Sequence, residues 1–467
     1  MPTFAPEQLA HWTGGTWTAR PVAPLTAFGV DTRALRPGDV FVALRTERRD
    51  GHDFLADAAA AGAAAALVAA PNRAVPLPQL VVPDPLAAFQ AIAREHRRMF
   101  RGAVVGISGS AGKTSTKDLL ALLLGGASCG VVATEGNLNN HLGVPLTLTR
   151  LDPALHRFAV VEAGISAPGE MAPLAGMIEP DVAIITLVAA AHTQELGGLE
   201  GVAREKAVLP AAVRSGGVAI VPRSTLDYAP FRDLRVRTMV VERAADLPVD
   251  SSLPAEGVHF LVAHRSEETA LTIASGPLPP FRFVFRRVSD GMAQNAALAV
   301  CAALWLGVAR ETIQSRFATW KPAKLRAEVR RTDGKLLYLD CYNANPASMA
   351  DALATFESLA PAGEPRLYVL GCMEELGPDA PALHRALGRS LHLRDGDRLF
   401  VIGTHAHEVC AGLLELGDFS RQLQIVSSLE PVSAALAAWR GAVFVKGSRR
   451  YQLERILEAQ TSLPLPC

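Results

Sequence analysis

Short apolar runs alternate with longer stretches of helical period along nearly the whole chain, and this alternation predicts an α/β protein. Up to about residue 100, β-rich runs at 40–44, 66–68 and 80–82 are separated by helical runs at 54–61 and 85–99, and the Arg36-Pro37-Gly38-Asp39 turn precedes the first. From about 101 the strands at 104–107, 158–161 and 182–185 are apolar on both faces, the pattern of a parallel sheet covered by helices. Helices are expected over 201–212, 292–306 and 310–317, with Asn295 on the first turn of the second. The stretch 217–288 reads as antiparallel strands packed at the side of that sheet. Trp320-Lys321-Pro322 reads as a hinge, after which strands at 336–340, 367–370, 399–402 and 443–445, each followed by a helical run, make a Rossmann-like unit.

The expected organisation is therefore three α/β domains over 1–100, 101–319 and 320–467, in keeping with a 467-residue chain too long for one core. Forty-six basic residues balance 46 acidic ones, so nothing favours nucleic acid or an anionic membrane as a partner. Small-molecule substrates and a monomer are expected. The six cysteines form no Cys-x-x-Cys pair, which argues against a zinc knuckle or a disulfide framework. No signal peptide is visible, and the longest apolar run, 58–70, is mostly alanine and too short to span a bilayer, so a cytoplasmic protein is expected.

The chemistry gathers where the 104–107 strand ends. Ser108-Gly109-Ser110-Ala111-Gly112-Lys113-Thr114-Ser115 is a small-residue loop that opens a helix. Its backbone N–H groups can cradle phosphates, Lys113 adds a cation, and the Thr114 hydroxyl can reach a magnesium ion. The strict motif wants glycine at 107, where isoleucine stands, so Gly109 has to carry the turn. ATP is the expected ligand. Glu162 and Thr186 end buried strands beside this loop, where ligands of parallel sheets bind, and Glu162 offers the carboxylate oxygen a hard cation prefers. His192 is either a second metal ligand or a hydrogen-bonded structural residue. Asp31-Thr32-Arg33 suits a uracil or pyrophosphate group, although an exposed turn closed by its own salt bridge accounts for it as well. Asp340, at a strand end, can take ribose hydroxyls; the loop to Ser348 that follows, with Asn343, Asn345 and Pro346, is rigid and polar. Lys446-Gly447-Ser448-Arg449 suits a carboxylate.

These segments together resemble the Mur ligase family, ATP-dependent amide ligases of peptidoglycan precursor synthesis, over essentially the whole chain. Ser108 to Ser115 looks like the family's phosphate loop, and Thr134 to Asn140 with Gly143-Val144-Pro145 like its next segment. Asp340 to Ser348 and Gly371 to Gly377 are similar to the member that adds D-alanyl-D-alanine. The resemblance implies an acyl-phosphate mechanism with two Mg2+ ions held by Thr114, Glu162, His192 and a carbamylated Lys206. It puts Arg326 at the γ-phosphate, Asn295 at adenine, Asp340 at ribose with Asn343 and Asn345 nearby, and Asp31, Thr32 and Arg33 at UDP. Asn137, Asn139, Asn140, Lys446, Ser448 and Arg449 match segments near the ligated groups. The departures are Gly291 in place of a histidine beside adenine, Leu187 in place of asparagine, and Leu325 in place of glycine. A ligase adding another amino acid, or a nucleotide-binding protein that has lost turnover, are the alternatives. Because the phosphate loop and Asp340 lie in different domains, those domains must close over one nucleotide.

Overall fold

The computed structural model describes residues 2–244, 257–275, 279–332 and 334–460. Three sheets organise them, as the alternation of strands and helices requires. The first has five strands, ordered Thr16–Trp17, Gln79–Val81, Ala65–Val68, Asp39–Val42, Ala27–Gly29; all pairs are parallel except the one made by Thr16–Trp17. Helix Pro85–Met99 covers it, started by Pro85 and by Asp84, whose carboxylate accepts the Leu86 and Ala87 N–H groups. The same helix fastens this unit to the next. Arg97, wholly buried, donates to the Ile178 and Glu179 carbonyls and pairs with Asp181 at 2.8 Å, while His96 bonds the Leu151 carbonyl.

The second sheet has nine strands, with Ala103–Ser108 between Phe158–Glu162 and Val182–Ile185. From Ala103–Ser108 the chain first builds outward on one side and then on the other. That makes the carboxyl end of this strand a topological switch point, the place where parallel sheets leave a crevice. The stretch expected to be antiparallel at the side is different. Val218–Pro222, Thr238–Arg243 and Gly257–His264 continue the same sheet in parallel, and only Glu268–Ser275 is reversed, pairing antiparallel with Gly257–His264 on one side and Phe281–Arg286 on the other. Strand direction is set by where the intervening chain crosses, which a local apolar pattern does not encode.

The third sheet has six strands rather than four: Glu328–Thr332, Lys335–Asp340, Gly441–Lys446, Arg366–Gly371, Arg398–Ile402, Leu423–Val426. The two extra strands lie at its edges, and Glu328-Val329-Arg330-Arg331-Thr332 is too polar and exposed to read as a strand. Trp320 is not an exposed hinge. It is 5% exposed, packed edge-on against Phe285 and Phe317, and so belongs to the core of the nine-stranded unit; the connection to the third sheet is left to the residues after it. Trp320→Ala is expected to destabilise that unit by about 3 kcal/mol, the cost of emptying a large buried aromatic site, read as a lower denaturant midpoint at unchanged slope. A midpoint equal to that of the parent would mean that the indole adds nothing to the core.

No helix among the described residues is long and apolar enough to cross a membrane. The five described cysteines are free thiols.

Candidate active site

The strand Ala103–Ser108 ends in a loop that the sheet and its neighbours hold rigid. Gly109 (φ +151°) and Gly112 (φ +80°) make the turns, and a Cβ on Gly112 would lie 2.4 Å from Asn295 Nδ2, so only glycine fits there. Thr186 Oγ1 donates to the Ala111 carbonyl at 2.5 Å. Ser110 Oγ donates to the Ala189 carbonyl, and Ser110 N–H to that of Leu187. Leu187 takes part through its backbone, which any side chain would supply. Helix Lys113–Leu123 starts where the loop ends, so its free N–H groups and the positive end of its dipole meet whatever the loop holds. Lys113 folds back to donate to the Gly109 carbonyl at 2.8 Å.

This loop forms one wall of a cleft of about 510 Å³ between the second and third sheets. Ser110 to Ser115, Asn137, Asn139, Asn140, Glu162, His192, Asn295, Arg326, Asp340, Asn343 and Asn345 all line it. These residues, expected at the site from their sequence, come from distant segments that the fold brings together. Lys206 lies just behind, on helix Leu199–Ala211, 3% exposed. Asp31, Thr32 and Arg33 are not part of the cleft. They form a 3-10 turn in which Arg33 grips Asp31 through Nε and Nη2 at 2.9 and 2.6 Å, and that pairing holds the Asp31 carboxyl down at about 2.

Glu162 sits at the floor, 2% exposed. Its Oε1 accepts from Asn139 Nδ2 at 2.8 Å, whereas Oε2 is buried without a partner. A buried carboxylate oxygen left unpaired is costly unless something else binds it. No cluster of three or more His, Cys, Asp or Glu among the described residues could cage a metal by itself. That combination suits magnesium, which is usually held by one or two carboxylates together with substrate phosphates rather than by an all-protein cage.

Three basic side chains crowd the phosphate loop. Burial lowers the Lys113 ammonium, with Glu162 opposing and Arg326 adding to the fall. Burial, then repulsion from Lys113, takes Lys206 well below an ordinary lysine. Burial also lowers His192, against the pull of Glu375, whose Oε2 is 2.5 Å from Nδ1.

The third sheet closes the cleft. Arg326 stacks over the Tyr342 ring with Cζ 4.0 Å from its centroid and donates Nη2–H to Thr114 Oγ1 at 3.2 Å. Leu325 and Ala327, on either side of it, are both left-handed (φ +61° and +50°), which accounts for glycine being the expected residue at 325. Asn345 caps helix Pro346–Leu359 through Oδ1 and reaches across with Nδ2 to the Ser110 carbonyl at 3.2 Å.

Some assignments shift. The helix Asp290–Trp305 starts two residues earlier than its pattern suggests, capped by Ser289, so Asn295 is on the second turn and packs on Gly112. Gly291 is matched by Asp351, whose Oδ1 accepts the Gly291 N–H at 2.9 Å; a Cβ at 291 would come within 2.7 Å of its Oδ2, so a larger residue would require the Asp351 side chain to shift. Lys446 also lines the cleft, where its charge is already engaged. Strand register sets it beside Asp340, and its wholly buried ammonium spends its protons on the Asp340 carboxylate and on the Asp340 and Asn343 carbonyls. Ser448 and Arg449, by contrast, do not line the cleft, and Arg449 is paired to Glu454. Asp351 went unremarked in the sequence, and Tyr342 and Glu375 stood only inside quoted segments without a role, because each acts through a partner remote along the chain.

Comparison with known proteins agrees with this architecture. Family models match at residues 24–97 (Mur ligase family, catalytic domain), 107–266 (Mur ligase middle domain) and 325–449 (Mur ligase, glutamate ligase domain). The chain is 32% identical over 442 residues to the UDP-N-acetylmuramoyl-tripeptide--D-alanyl-D-alanine ligase of Escherichia coli strain K12, covering 93% of each protein. Among solved structures, one of MurF from Acinetobacter baumannii superposes with a TM-score of 0.86 at 27% identity, over 99% of this chain and 100% of that one. MurF ligase of Thermotoga maritima in complex with ADP follows at 0.78 and 25% identity, over 93% and 96%.

Proposed function

The chain belongs to the Mur ligase family, and from that premise we propose that it joins D-alanyl-D-alanine to UDP-N-acetylmuramoyl-tripeptide, with ATP converted to ADP and phosphate. The observation that carries the chemistry is the single cleft in which a phosphate loop, the unpaired Glu162 Oε2 and the Arg326–Thr114 contact meet. The tripeptide's terminal carboxylate attacks the γ-phosphorus, the bond to the ADP oxygen breaks, and an acyl phosphate forms. The dipeptide amine then attacks the acyl carbon, phosphate leaves, and the nitrogen loses its proton.

For this chain's residues the work is mostly positioning and charge neutralisation. The loop N–H groups and Lys113 hold the β- and γ-phosphate oxygens. Arg326, fixed over Tyr342, brings a second cation against Thr114, so the third unit must be docked for the set to be complete. Asn139 keeps Glu162 turned inward. Thr114 and Glu162 would hold one Mg2+, and His192 with a carbamylated Lys206 a second. When bound, these ions would neutralise charge on the phosphoryl oxygens. Asp340, steadied by Lys446, would meet the ribose, and Asn295 the base side of the nucleotide. The UDP moiety would lie on the five-stranded unit near Asp31, Thr32 and Arg33, and the enzyme would act in the cytoplasm, where ATP is available.

Phosphate release from ATP and Mg2+ with the UDP-linked tripeptide tests this. Release should require D-alanyl-D-alanine and yield the pentapeptide product, whereas single D-alanine, L-lysine or D-glutamate should leave it near background. Release with one of those instead would keep the mechanism and move the amine specificity. ADP binding without release with any amine would reject the ligase reading.

A further inference from the structure

The two larger units meet at a second place, outside the nucleotide contacts. The segment after strand Val182–Ile185 runs to His192 and then to the short helix Thr193–Leu196; facing it is the loop after strand Arg366–Gly371. His192 Nδ1 lies 2.5 Å from Glu375 Oε2, and Thr193 Oγ1 donates to the Leu376 carbonyl at 3.2 Å. Both members of this pair are left-handed, His192 at φ +55° and Glu375 at +63°. Such conformations persist in non-glycine residues where the surroundings over-determine them, and they mark functional contacts. Along with Leu325 and Ala327, they are four of the six non-glycine residues with positive φ among those described, and all four stand where these two units join or touch. The adjacent Glu374 is engaged elsewhere, by the Tyr451 hydroxyl and Arg450, so Glu375 alone is turned to the imidazole.

We propose that Glu375 is a positioning residue for His192. This rests on the ligase reading above. By accepting the Nδ1–H proton it fixes the ring's tautomer and orientation and leaves Nε2 as the nitrogen with a free lone pair, on a side chain that lines the cleft. Glu375 belongs to the six-stranded unit and His192 to the nine-stranded one, so the imidazole is set only while the two are docked. Closure over the nucleotide and preparation of His192 are thus one event.

The test compares Glu375→Ala and Glu375→Gln with the parent enzyme. In ADP-bound protein freed of metal, the 15N histidine resonances that vanish in a His192→Asn variant report the ring directly. The parent should show a single tautomer with Nδ1 protonated, Glu375→Gln should keep it through its amide oxygen, and Glu375→Ala should show a mixture. Turnover should split in the same way. Glu375→Ala is expected to lose about 10- to 100-fold in kcat, the range for an outer partner of a ligating histidine, with KM for ATP and ADP affinity within about twofold, whereas Glu375→Gln recovers most of the rate. Unchanged His192 resonances in Glu375→Ala, or an equal loss of kcat in both variants, would overturn the proposal. The resonances can be read even if the parent releases no phosphate, so failure of the ligase reading is separable from failure of this one.

Discussion

Replacing Lys206 with alanine should lower turnover by about 10³-fold, the scale of losing one preorganised electrostatic element at a charge-developing site, while the fold stays at least as stable as the parent. The second half follows from burial. Lys206 is 3% exposed on helix Leu199–Ala211, and no hydrogen bond ties its ammonium to another described residue. An unpaired buried amine is costly whether neutral or charged, so truncation removes a cost. Its amine is held well below an ordinary lysine, first by burial and then by Lys113. That shift favours the free base, the form that reacts with CO2: nitrogen bonds to carbon, one N–H proton is released, and an anionic carbamate replaces the neutral amine close to the Lys113 charge. Two readings separate this from a packing role. Acetate or formate should restore part of the Lys206→Ala rate, and 13C-bicarbonate should give the parent a carbamate signal that the variant lacks. Full activity in Lys206→Ala, or no such signal in the parent, would dismiss the carbamate.

The phosphate loop, its lysine and the carboxylates at strand ends were legible in the sequence because they depend on neighbours within a few residues: an apolar strand, small residues where the backbone must turn, and a helix start. The bounds of helices Pro85–Met99 and Arg310–Phe317 could be read off for the same reason, since a proline or a periodic apolar face marks them locally. What escaped is what distant segments decide. Whether Val218–Pro222 and Thr238–Arg243 lie parallel depends on which side of the sheet the chain crosses. Strand register puts Lys446 beside Asp340, and Asp31 and Arg33 pair with each other, contacts that strand pairing and turn geometry decide. Glu375 and Asp351 carry no local signal at all, for each is explained only by a residue of another unit.

Lys113→Ala should be the other severe loss, about 10³-fold in kcat or more, because phosphoryl transfer has little to draw on beyond positioning and charge. Lys113→Arg is not expected to rescue it. The ammonium sits in a bend that returns to the Gly109 carbonyl, between Glu162 and Arg326, and a planar fork needs room and a second acceptor that a compact point charge does not. ADP affinity by calorimetry should fall in both variants, and retention of a tenth of the parental kcat in either would refute the assignment. The same variant also tests how the two lysines are linked. Lys113 is one of the two causes that lower Lys206, so removing its charge lets the Lys206 pKa rise. More of that amine is then protonated at a given pH, less is free to react with CO2, and the 13C carbamate signal should appear only at higher pH or bicarbonate than in the parent. A signal that titrates identically in Lys113→Ala would mean that burial alone keeps Lys206 uncharged, and that the two lysines act on ATP independently.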